Sequence, residues 1–210
     1  MTLIKKGAEA ELYRLEWMGR DAILKRRIKK LYRNPDLDVY IRTTRTSTEA
    51  KLLSEARRLG VPTPIIYYLD LKNTEIVMSF IPGPPLKKII PEMDRELLSE
   101  TFNLVGRLVG SLHRGGIVHG DLTTSNMILK EHTLFLIDFG LGEHTSDLEA
   151  RGVDIHLMRR ALESSHYEVS KFAYDCFIYG YESIMGEETK NVLRRVGEIR
   201  RRGRYVEGGR

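Results

Sequence analysis

The amino-acid sequence predicts an α+β fold built from two small lobes, a β-rich lobe followed by an α-helical one. Three observations support this prediction. Segments of strand-like composition are concentrated before residue 82, the PGPP segment at residues 82–85 cannot continue a strand, and apolar residues beyond it recur at helical spacing. A chain of 210 residues with 41% hydrophobic residues is long enough for two lobes that share a cleft. The predicted boundaries are residues 1–81 for the N-lobe and residues 82–210 for the C-lobe.

Four strands in two pairs are predicted for the N-lobe. Residues 11–17 and 22–28 are rich in β-branched, aromatic and leucine side chains, and a turn at Gly19 separates them, as in a hairpin. Residues 65–69 and 74–81 have a similar composition with a turn between them. We therefore expect an antiparallel sheet in this lobe.

One helix is predicted between the two strand pairs, and its start has two possible positions. Asn34 and Pro35 are typical of an N-cap and a first helical residue, and Gly60 is typical of a helix end. The segment from Thr46 to Glu49 also fits a capping box, in which Glu49 would serve the helix start. A start at Asn34 instead leaves Glu49 inside the helix and available for an ion pair, which we favour.

The C-lobe pattern is helical, with one short hairpin. Apolar residues from Leu97 to Leu112 follow helical spacing, and further helices are predicted over residues 150–186 and 187–202. Two apolar runs within residues 127–138 predict the hairpin. A mostly β lobe is therefore followed by a mostly α lobe.

Three polar residues near this hairpin predict a metal and nucleotide site. Asn126 and Asp138 flank the hairpin, so its pairing should bring them together. Two oxygen ligands suit Mg²⁺, which completes its coordination with water and phosphate. Asp121 lies five residues before Asn126 and is free to face a hydroxyl group or water, although Asp121 and Asn126 could also be turn and cap residues.

The order of these motifs matches the template of protein kinases, so the predicted fold is kinase-like and of minimal size. The template has a strand lysine, a helix glutamate, a loop with Asp and Asn at this spacing, and a DFG-type aspartate. Here AILK ends at Lys25, Glu49 is the candidate helix glutamate, and DFG begins twelve residues after Asn126. Lys25 could instead be one more charge in a basic run, but the apolar residues before it favour a lysine that reaches into the cleft. His119 is expected to be a structural loop residue rather than a base.

Several segments resemble the small atypical Ser/Thr kinase of the KEOPS complex. They are HGDLTTSNMI at residues 119–128, GAEAEL at 7–12, TEAKLLSEARRLGVPTP at 48–64 and the arginine-rich end. The resemblance implies binding of ATP and Mg²⁺, ATPase activity and Ser/Thr autophosphorylation. It also implies membership of a complex that makes threonylcarbamoyladenosine in tRNA. Its sugar-kinase-fold catalytic subunit would dock largely on the C-lobe, beside the other subunits of the complex.

The resemblance also implies roles for individual residues. Lys25 would contact the α and β phosphates while Glu49 holds it, Asp121 would be the catalytic aspartate, and Asn126 and Asp138 would bind the metal. The nucleotide loop would consist of Gly7, Ala8, Glu9 and Ala10, and adenine would meet the backbone from Ser79 to Ile81, with Met78 behind it.

Departures from ordinary kinases indicate a specialised activity. The glycine-rich loop keeps a single glycine, and Glu9 adds negative charge there. Gly120 replaces the arginine that normally receives a phosphorylated activation loop, and no A-P-E motif follows the IDFG segment. Asp154 fits either a buried brace for the catalytic loop or a surface charge. These losses favour ATP hydrolysis coupled to a partner over general protein phosphorylation.

The net charge of +5 lies entirely in residues 194–210, which hold seven arginines and two glutamates. Such a basic end predicts an anionic partner, although a solvated helix end would look the same. The resemblance makes that partner tRNA, approached by Arg200, Arg201, Arg202 and Arg204. The single cysteine, Cys176, excludes an internal disulfide, and no apolar run is long enough for a membrane helix or a signal peptide. A cytoplasmic location away from membranes is therefore expected.

Other interpretations of the same motifs remain open. A RIO-type kinase and an aminoglycoside-phosphotransferase-like kinase also use HGD followed by Asn at this spacing. The former usually has extra N-terminal helices, and the latter needs a larger helical pocket than the chain after residue 150 provides. A non-catalytic pseudokinase scaffold is disfavoured because Lys25, Asp121, Asn126 and Asp138 are all present.

Overall fold

The N-lobe is a five-stranded antiparallel sheet with one long helix. The structure is a computed structural model that describes the backbone of residues 1–207 and the side chains of residues 1–202. The strand order is β1-β2-β3-β5-β4. The strands are β1 (Thr2–Lys6), β2 (Ala10–Trp17), β3 (Arg20–Arg27), β4 (Ile66–Asp70) and β5 (Glu75–Ser79). Both predicted hairpins are confirmed, whereas β1 was not predicted because its five residues are all exposed and carry no alternation.

Helix α1 (Pro35–Arg58) begins at the earlier of the two predicted positions. The Asn34 side chain accepts hydrogen bonds from the backbone amides of Asp36 and Leu37, so it is the N-cap. The alternative start at Thr46 is wrong, because Thr46 lies inside the helix and its hydroxyl donates to a backbone carbonyl one turn earlier. Glu49 is therefore an interior residue of α1, on a buried part of its surface.

The C-lobe consists mainly of helices, with two short strand pairs. The helices are α2 (Leu86–Ile89), α3 (Arg95–Arg114), α4 (Leu148–Ser165), α5 (Tyr167–Met185) and α6 (Glu188–Glu207). The strands are β6 (Ile117–Val118), β7 (Met127–Lys130), β8 (Thr133–Leu136) and β9 (Glu143–His144). The predicted hairpin is confirmed as β7–β8, and the helices predicted over residues 150–186 are confirmed as two, which meet at His166. The β6–β9 pair was not predicted, since two-residue strands leave no periodic signal.

Helices α3 and α5 approach so closely that their backbones touch. A Cβ atom on Gly106 of α3 would overlap the carbonyl oxygen of Phe177, and one on Gly180 of α5 would overlap that of Asn103. Around this contact Phe102, Phe177 and Tyr181 are fully buried. A continuous apolar core runs from here into the N-lobe. None of the described helices has the length and hydropathy that a membrane span requires.

We predict that Gly106→Ala lowers the free energy of unfolding by about 1–3 kcal/mol, because the added methyl group forces α3 and α5 apart. Urea denaturation measures the change. Gly197→Ala in α6 is the matched control, since a Cβ there meets no atom within 4 Å. That variant should gain up to about 1 kcal/mol from helix propensity alone. Equal behaviour of the two variants would contradict the close α3–α5 contact.

Candidate active site

A cavity of about 260 Å³ lies between the two lobes and contains several of the predicted site residues. From the N-lobe it is lined by Lys25 and by the predicted nucleotide loop, and from the C-lobe by Asp121 and Asp138. The loop residues in its wall are Gly7, Ala8, Glu9 and Ala10. The structure therefore brings together residues that are more than a hundred positions apart in sequence.

Lys25 joins α1 to the segment that follows β8. Its Nζ donates to Glu49 Oε1 and to Asp138 Oδ1, each at 2.6 Å. The side chain is only 7% exposed, so the alternative of a surface charge is wrong. Burial by itself lowers the pKa of Lys25, but the two carboxylates outweigh burial and hold that pKa above its usual value. Lys25 is therefore charged over the whole physiological range.

Asp138 projects into the cavity from a backbone conformation that side chains seldom adopt. Its φ is +64°, in the left-handed region. Oδ1 accepts from Lys25 and, at 3.3 Å, from the amide of Gly140, and the side chain is 48% exposed. Partial burial raises the pKa of Asp138, but Lys25 and the Gly140 amide outweigh it and lower that pKa below its usual value. The carboxylate is thus ionised, as a metal ligand must be.

Asn126 and Asp121 lie together at the open end of the β7–β8 hairpin. Asn126 Nδ2 donates to the Asp121 carboxylate at 2.7 Å and to the Asp121 carbonyl at 2.9 Å. The amide of Ile137 donates to the Asn126 carbonyl at 3.0 Å, so the hairpin brings Asn126 next to the Asp138 segment, as predicted.

These contacts fit a magnesium ion held by few protein ligands. Because both Nδ2 bonds of Asn126 go to Asp121, its Oδ1 is the atom that remains available to a metal. Among the described residues no group of three or more His, Cys, Asp or Glu side chains is placed to hold a metal. Mg²⁺ is commonly held by one or two carboxylates with water and phosphate, so it does not need such a group.

Asp154 of α4 braces the loop that precedes Asp121, and the alternative of a surface charge is wrong. Its two carboxylate oxygens accept from the amides of His119, at 2.6 Å, and Gly120, at 2.9 Å. His113 lies 3.3 Å away. Asp154 is buried, which raises its pKa, but hydrogen bonding and charge from His113, with further help from His119, lower that pKa below its usual value.

The residues before Asp121 are shaped by this brace. Gly120 has φ +78°, and a Cβ there would overlap the carbonyl of Leu141, so a side chain in place of Gly120 is sterically excluded. His119 donates through Nε2 to the carbonyl of Ile137 at 3.1 Å, and its ring packs against Phe139. His119 is therefore structural, as predicted.

The nucleotide loop is closed by hydrogen bonds and ion pairs. The Gly7 amide donates to the Ala10 carbonyl at 2.9 Å, and Lys30 donates to the Ala8 carbonyl. The charge that Glu9 adds to this loop is paired, since its carboxylate lies 3.1 Å from Arg45 and 3.5 Å from Arg33. The loop keeps only one glycine, but it has three cationic side chains beside it.

Residues 78–81, at the end of β5 and just after it, do not line this cavity. Met78 is buried, and Ser79 and Ile81 line a separate cavity of about 510 Å³ together with Phe135. The amides of Ser79 and Phe80 already donate to carbonyls of the N-lobe, whereas the Ile81 amide has no partner within the described residues. A role of this segment in adenine binding therefore stays a prediction, with the Ile81 amide as its candidate donor.

Arg27 and Arg45 also line the cavity between the lobes, and the sequence analysis did not identify them. Arg27 is buried and donates to Glu49 Oε2 at 2.5 Å. Strand alternation offered a signal, because Arg27 lies two residues after Lys25 and so points to the same face of β3. The position of Arg45 depends on how α1 crosses the sheet, which the sequence does not reveal.

The arginines at the end of α6 differ in their surroundings. Arg200 and Arg201 are exposed and form no ion pair with any side chain that the structure describes. Arg202 is held by Glu149 of α4 at 2.5 Å. The side chain of Arg204 lies outside the described residues.

We predict that Asp154→Asn lowers the free energy of unfolding near neutral pH by about 1–3 kcal/mol, because one amide oxygen cannot replace two carboxylate oxygens. The pKa of Asp154 is lower in the folded protein than its usual value of 3.8, so its contribution is complete above that value and is lost as pH falls further. Urea denaturation of both proteins should show the difference shrinking between about pH 5 and about pH 2. A difference that is independent of pH would contradict this assignment.

Comparisons with known sequences place the chain in a family. Residues 17–156 match the family described as the RIO domain. The KEOPS complex subunit Bud32 of Pyrococcus abyssi is 44% identical over 214 residues, which cover 99% of this chain and 97% of the relative. A probable bifunctional tRNA threonylcarbamoyladenosine biosynthesis protein of Methanosarcina mazei is 48% identical over 207 residues, 97% of this chain. The chain spans only 36% of that longer protein.

Two solved structures, a Rio2 kinase complex and WaaP with acyl carrier protein, have the same fold. The Rio2 kinase–ADP/Mg²⁺–phosphoaspartate complex of Chaetomium thermophilum superimposes with a TM-score of 0.66 at 15% identity, covering 98% of this chain and 72% of that one. WaaP in complex with acyl carrier protein gives a TM-score of 0.63 at 14% identity, covering 95% of this chain and 88% of that one. Identities this low indicate a common fold alone, which confirms the predicted two-lobe kinase-like architecture. The family match and the full-length relative go further: the chain belongs to the RIO-domain family of kinase-like proteins, in the group that includes the Bud32 subunit of the KEOPS complex.

Proposed function

We propose that the protein binds magnesium-ATP between its lobes and acts as an ATP-dependent phosphotransferase and ATPase. We further propose that it is a regulatory subunit of a KEOPS complex. The observation that carries the enzymatic part is the convergence of Lys25, Asp121 and Asp138 on one cavity, with Glu49 and Asn126 holding them. Positioned charges of this kind account for most of catalysis in phosphoryl transfer, because the reaction needs little covalent help from the protein.

Each side chain has a distinct role in this proposal. Lys25 contacts the α and β phosphates while Glu49 holds its ammonium group. Asp138 and Asn126 hold Mg²⁺, which when bound neutralises charge on the phosphates. Asp121, fixed by Asn126, orients the attacking hydroxyl or water. A serine or threonine hydroxyl as acceptor gives autophosphorylation, and water gives ATP hydrolysis.

The structure around the segment after Asp138 favours hydrolysis coupled to a partner over phosphorylation of many proteins. Strand β9 pairs with β6, and His144 contacts Glu55 of α1, so this segment is short and held in place. Such an arrangement leaves little platform for a protein substrate. We propose that a partner in the complex regulates ATP hydrolysis, in place of the phosphorylated activation loop that regulates ordinary kinases.

The assignment to a tRNA-modifying complex draws on the names of the relatives. One relative is named a KEOPS subunit, and another a bifunctional threonylcarbamoyladenosine biosynthesis protein, of which this chain matches about a third. We propose that a sugar-kinase-fold catalytic subunit docks on the C-lobe as a separate partner, together with other subunits. The basic end of α6 would then approach tRNA, and the complex would work in the cytoplasm.

Two alternatives differ in what the cleft does. A RIO-type kinase, favoured by the family match, would phosphorylate a defined protein without a KEOPS partner. A pseudokinase scaffold would bind partners without chemistry. ATP hydrolysis separates the scaffold from both enzymes, and a pull-down of the catalytic subunit separates the KEOPS subunit from an independent kinase.

We predict that Asp138→Asn reduces magnesium-dependent ATP hydrolysis by about 10²–10³-fold, because a charged group that stabilises the transition state is lost. Phosphate release with and without the catalytic subunit is the measurement, and the subunit should accelerate the wild type. Asp175→Asn is the control, since Asp175 lies in an exposed ion pair on α5. Equal rates for wild type and Asp138→Asn would support the scaffold instead.

We predict that the double variant Arg200→Gln, Arg201→Gln weakens tRNA binding and flattens its dependence on salt. Each lost phosphate contact should reduce the slope of log K against log salt by about 0.7–0.9. Arg202→Gln is the matched control, because Glu149 already engages that arginine and its removal should change the slope less. An unchanged slope in the double variant, and also after removal of residues 200–210, would exclude tRNA contact by this segment.

A further inference from the structure

Arg27 is a second buried cation beside Lys25, and no step above uses it. It is 6% exposed, lines the cavity between the lobes and donates from Nη2 to Glu49 Oε2 at 2.5 Å. Lys25 occupies the other oxygen of the same carboxylate, Oε1, at 2.6 Å. Glu49, itself 1% exposed, therefore has each of its oxygens bound to a different cation.

The guanidinium of Arg27 is also held against the IDFG segment. A Cβ atom on Gly140 would lie 2.8 Å from Arg27 Nη2 and 3.0 Å from Asp138 Oδ1. Gly140 is not in the left-handed region of backbone conformation, so space and not backbone freedom requires glycine here. Arg27 thus lies between the carboxylate of α1 and the backbone that carries Asp138.

The charges of this cluster balance when the cleft holds no nucleotide. Lys25 and Arg27 offset Glu49 and Asp138, with Lys25 shared between the two carboxylates. If Asp138 were to hold a metal ion, Lys25 would be free to turn toward phosphate while keeping its bond to Glu49. Without Arg27, Glu49 Oε2 would be a buried carboxylate oxygen lacking a partner, and it would compete for the Lys25 ammonium.

We propose that Arg27 is a positioning residue that saturates Glu49, so that Lys25 can move from Asp138 to the nucleotide phosphates. This inference rests on the proposed function, because it needs magnesium-ATP as the ligand. Arg27 acts through Glu49 and Lys25, since its Nη2 is bound to Glu49 and its Nε is buried without a hydrogen-bond partner among the described residues.

The test is a double-mutant cycle with Lys25. Arg27→Met should weaken binding of magnesium-ATP about tenfold, measured by titration calorimetry and by the KM for hydrolysis. In a Lys25→Met background the same change should alter affinity less than about twofold, because its target is already gone. Arg27→Lys should recover part of the loss by keeping a charge beside Glu49.

Two further variants separate this role from stability. Arg26→Met is the matched control on the same strand, because Arg26 points to the other face and pairs with Glu75 at 2.5 Å. It should bind magnesium-ATP like the wild type. Arg27→Gln, which keeps a polar amide but no charge beside Glu49, should lose affinity like Arg27→Met, and it keeps the test open if Arg27→Met does not fold. Urea denaturation of each variant identifies losses that come from unfolding.

The outcomes distinguish this inference from the proposed function. Two results would overturn the positioning role alone. The first is an Arg27→Met variant that binds magnesium-ATP as tightly as the wild type. The second is additivity of the changes in binding free energy caused by Arg27→Met and Lys25→Met. A wild type that fails to bind magnesium-ATP would overturn the proposed function and this inference with it. Non-additive loss in Arg27→Met, reproduced by Arg27→Gln, would support both.

Discussion

The buried ion cluster around Glu49 is the constraint on which the rest of the cleft depends. Charged groups removed from water are costly unless each is paired, so Lys25 and Glu49 must lie within hydrogen-bonding distance for the fold to tolerate them. Their partners belong to β3, α1 and the segment after β8. The cluster therefore fixes the N-lobe sheet, the long helix and the C-lobe hairpin relative to one another, and with them the position of Asp138.

A second network prepares the opposite side of the cleft. The carboxylate of Asp154 fixes the backbone before Asp121, and Asn126 fixes the Asp121 side chain. These supports come from α4 and the β7–β8 hairpin, which stand on the tightly packed α3–α5 pair. Groups that are positioned in advance need little rearrangement during a reaction, which is the main contribution that a protein can make to phosphoryl transfer.

Much of this arrangement could be predicted from the sequence, and the gaps have physical causes. The spacing of Asp121, Asn126 and Asp138 predicted a shared site because a hairpin necessarily joins its ends. Exposed β1 and the two-residue strands β6 and β9 carry too little pattern to predict. Arg27 was not singled out in the sequence, since its burial depends on Glu49 and Gly140, which come from distant parts of the chain.

The sequence by itself determined the order of strands and helices, the lysine, glutamate and aspartate motifs, and the concentration of charge at the C-terminal end, because these are properties of local composition and spacing. The tertiary structure alone decided which of two starts α1 uses, whether Asp154 is a brace or a surface charge, and which arginines are paired. Most of these choices depend on partners far along the chain. Glu149 pairs with Arg202, whereas Arg200 has no ion pair with any described side chain, although both arginines are exposed. A local pattern holds no information about such distances.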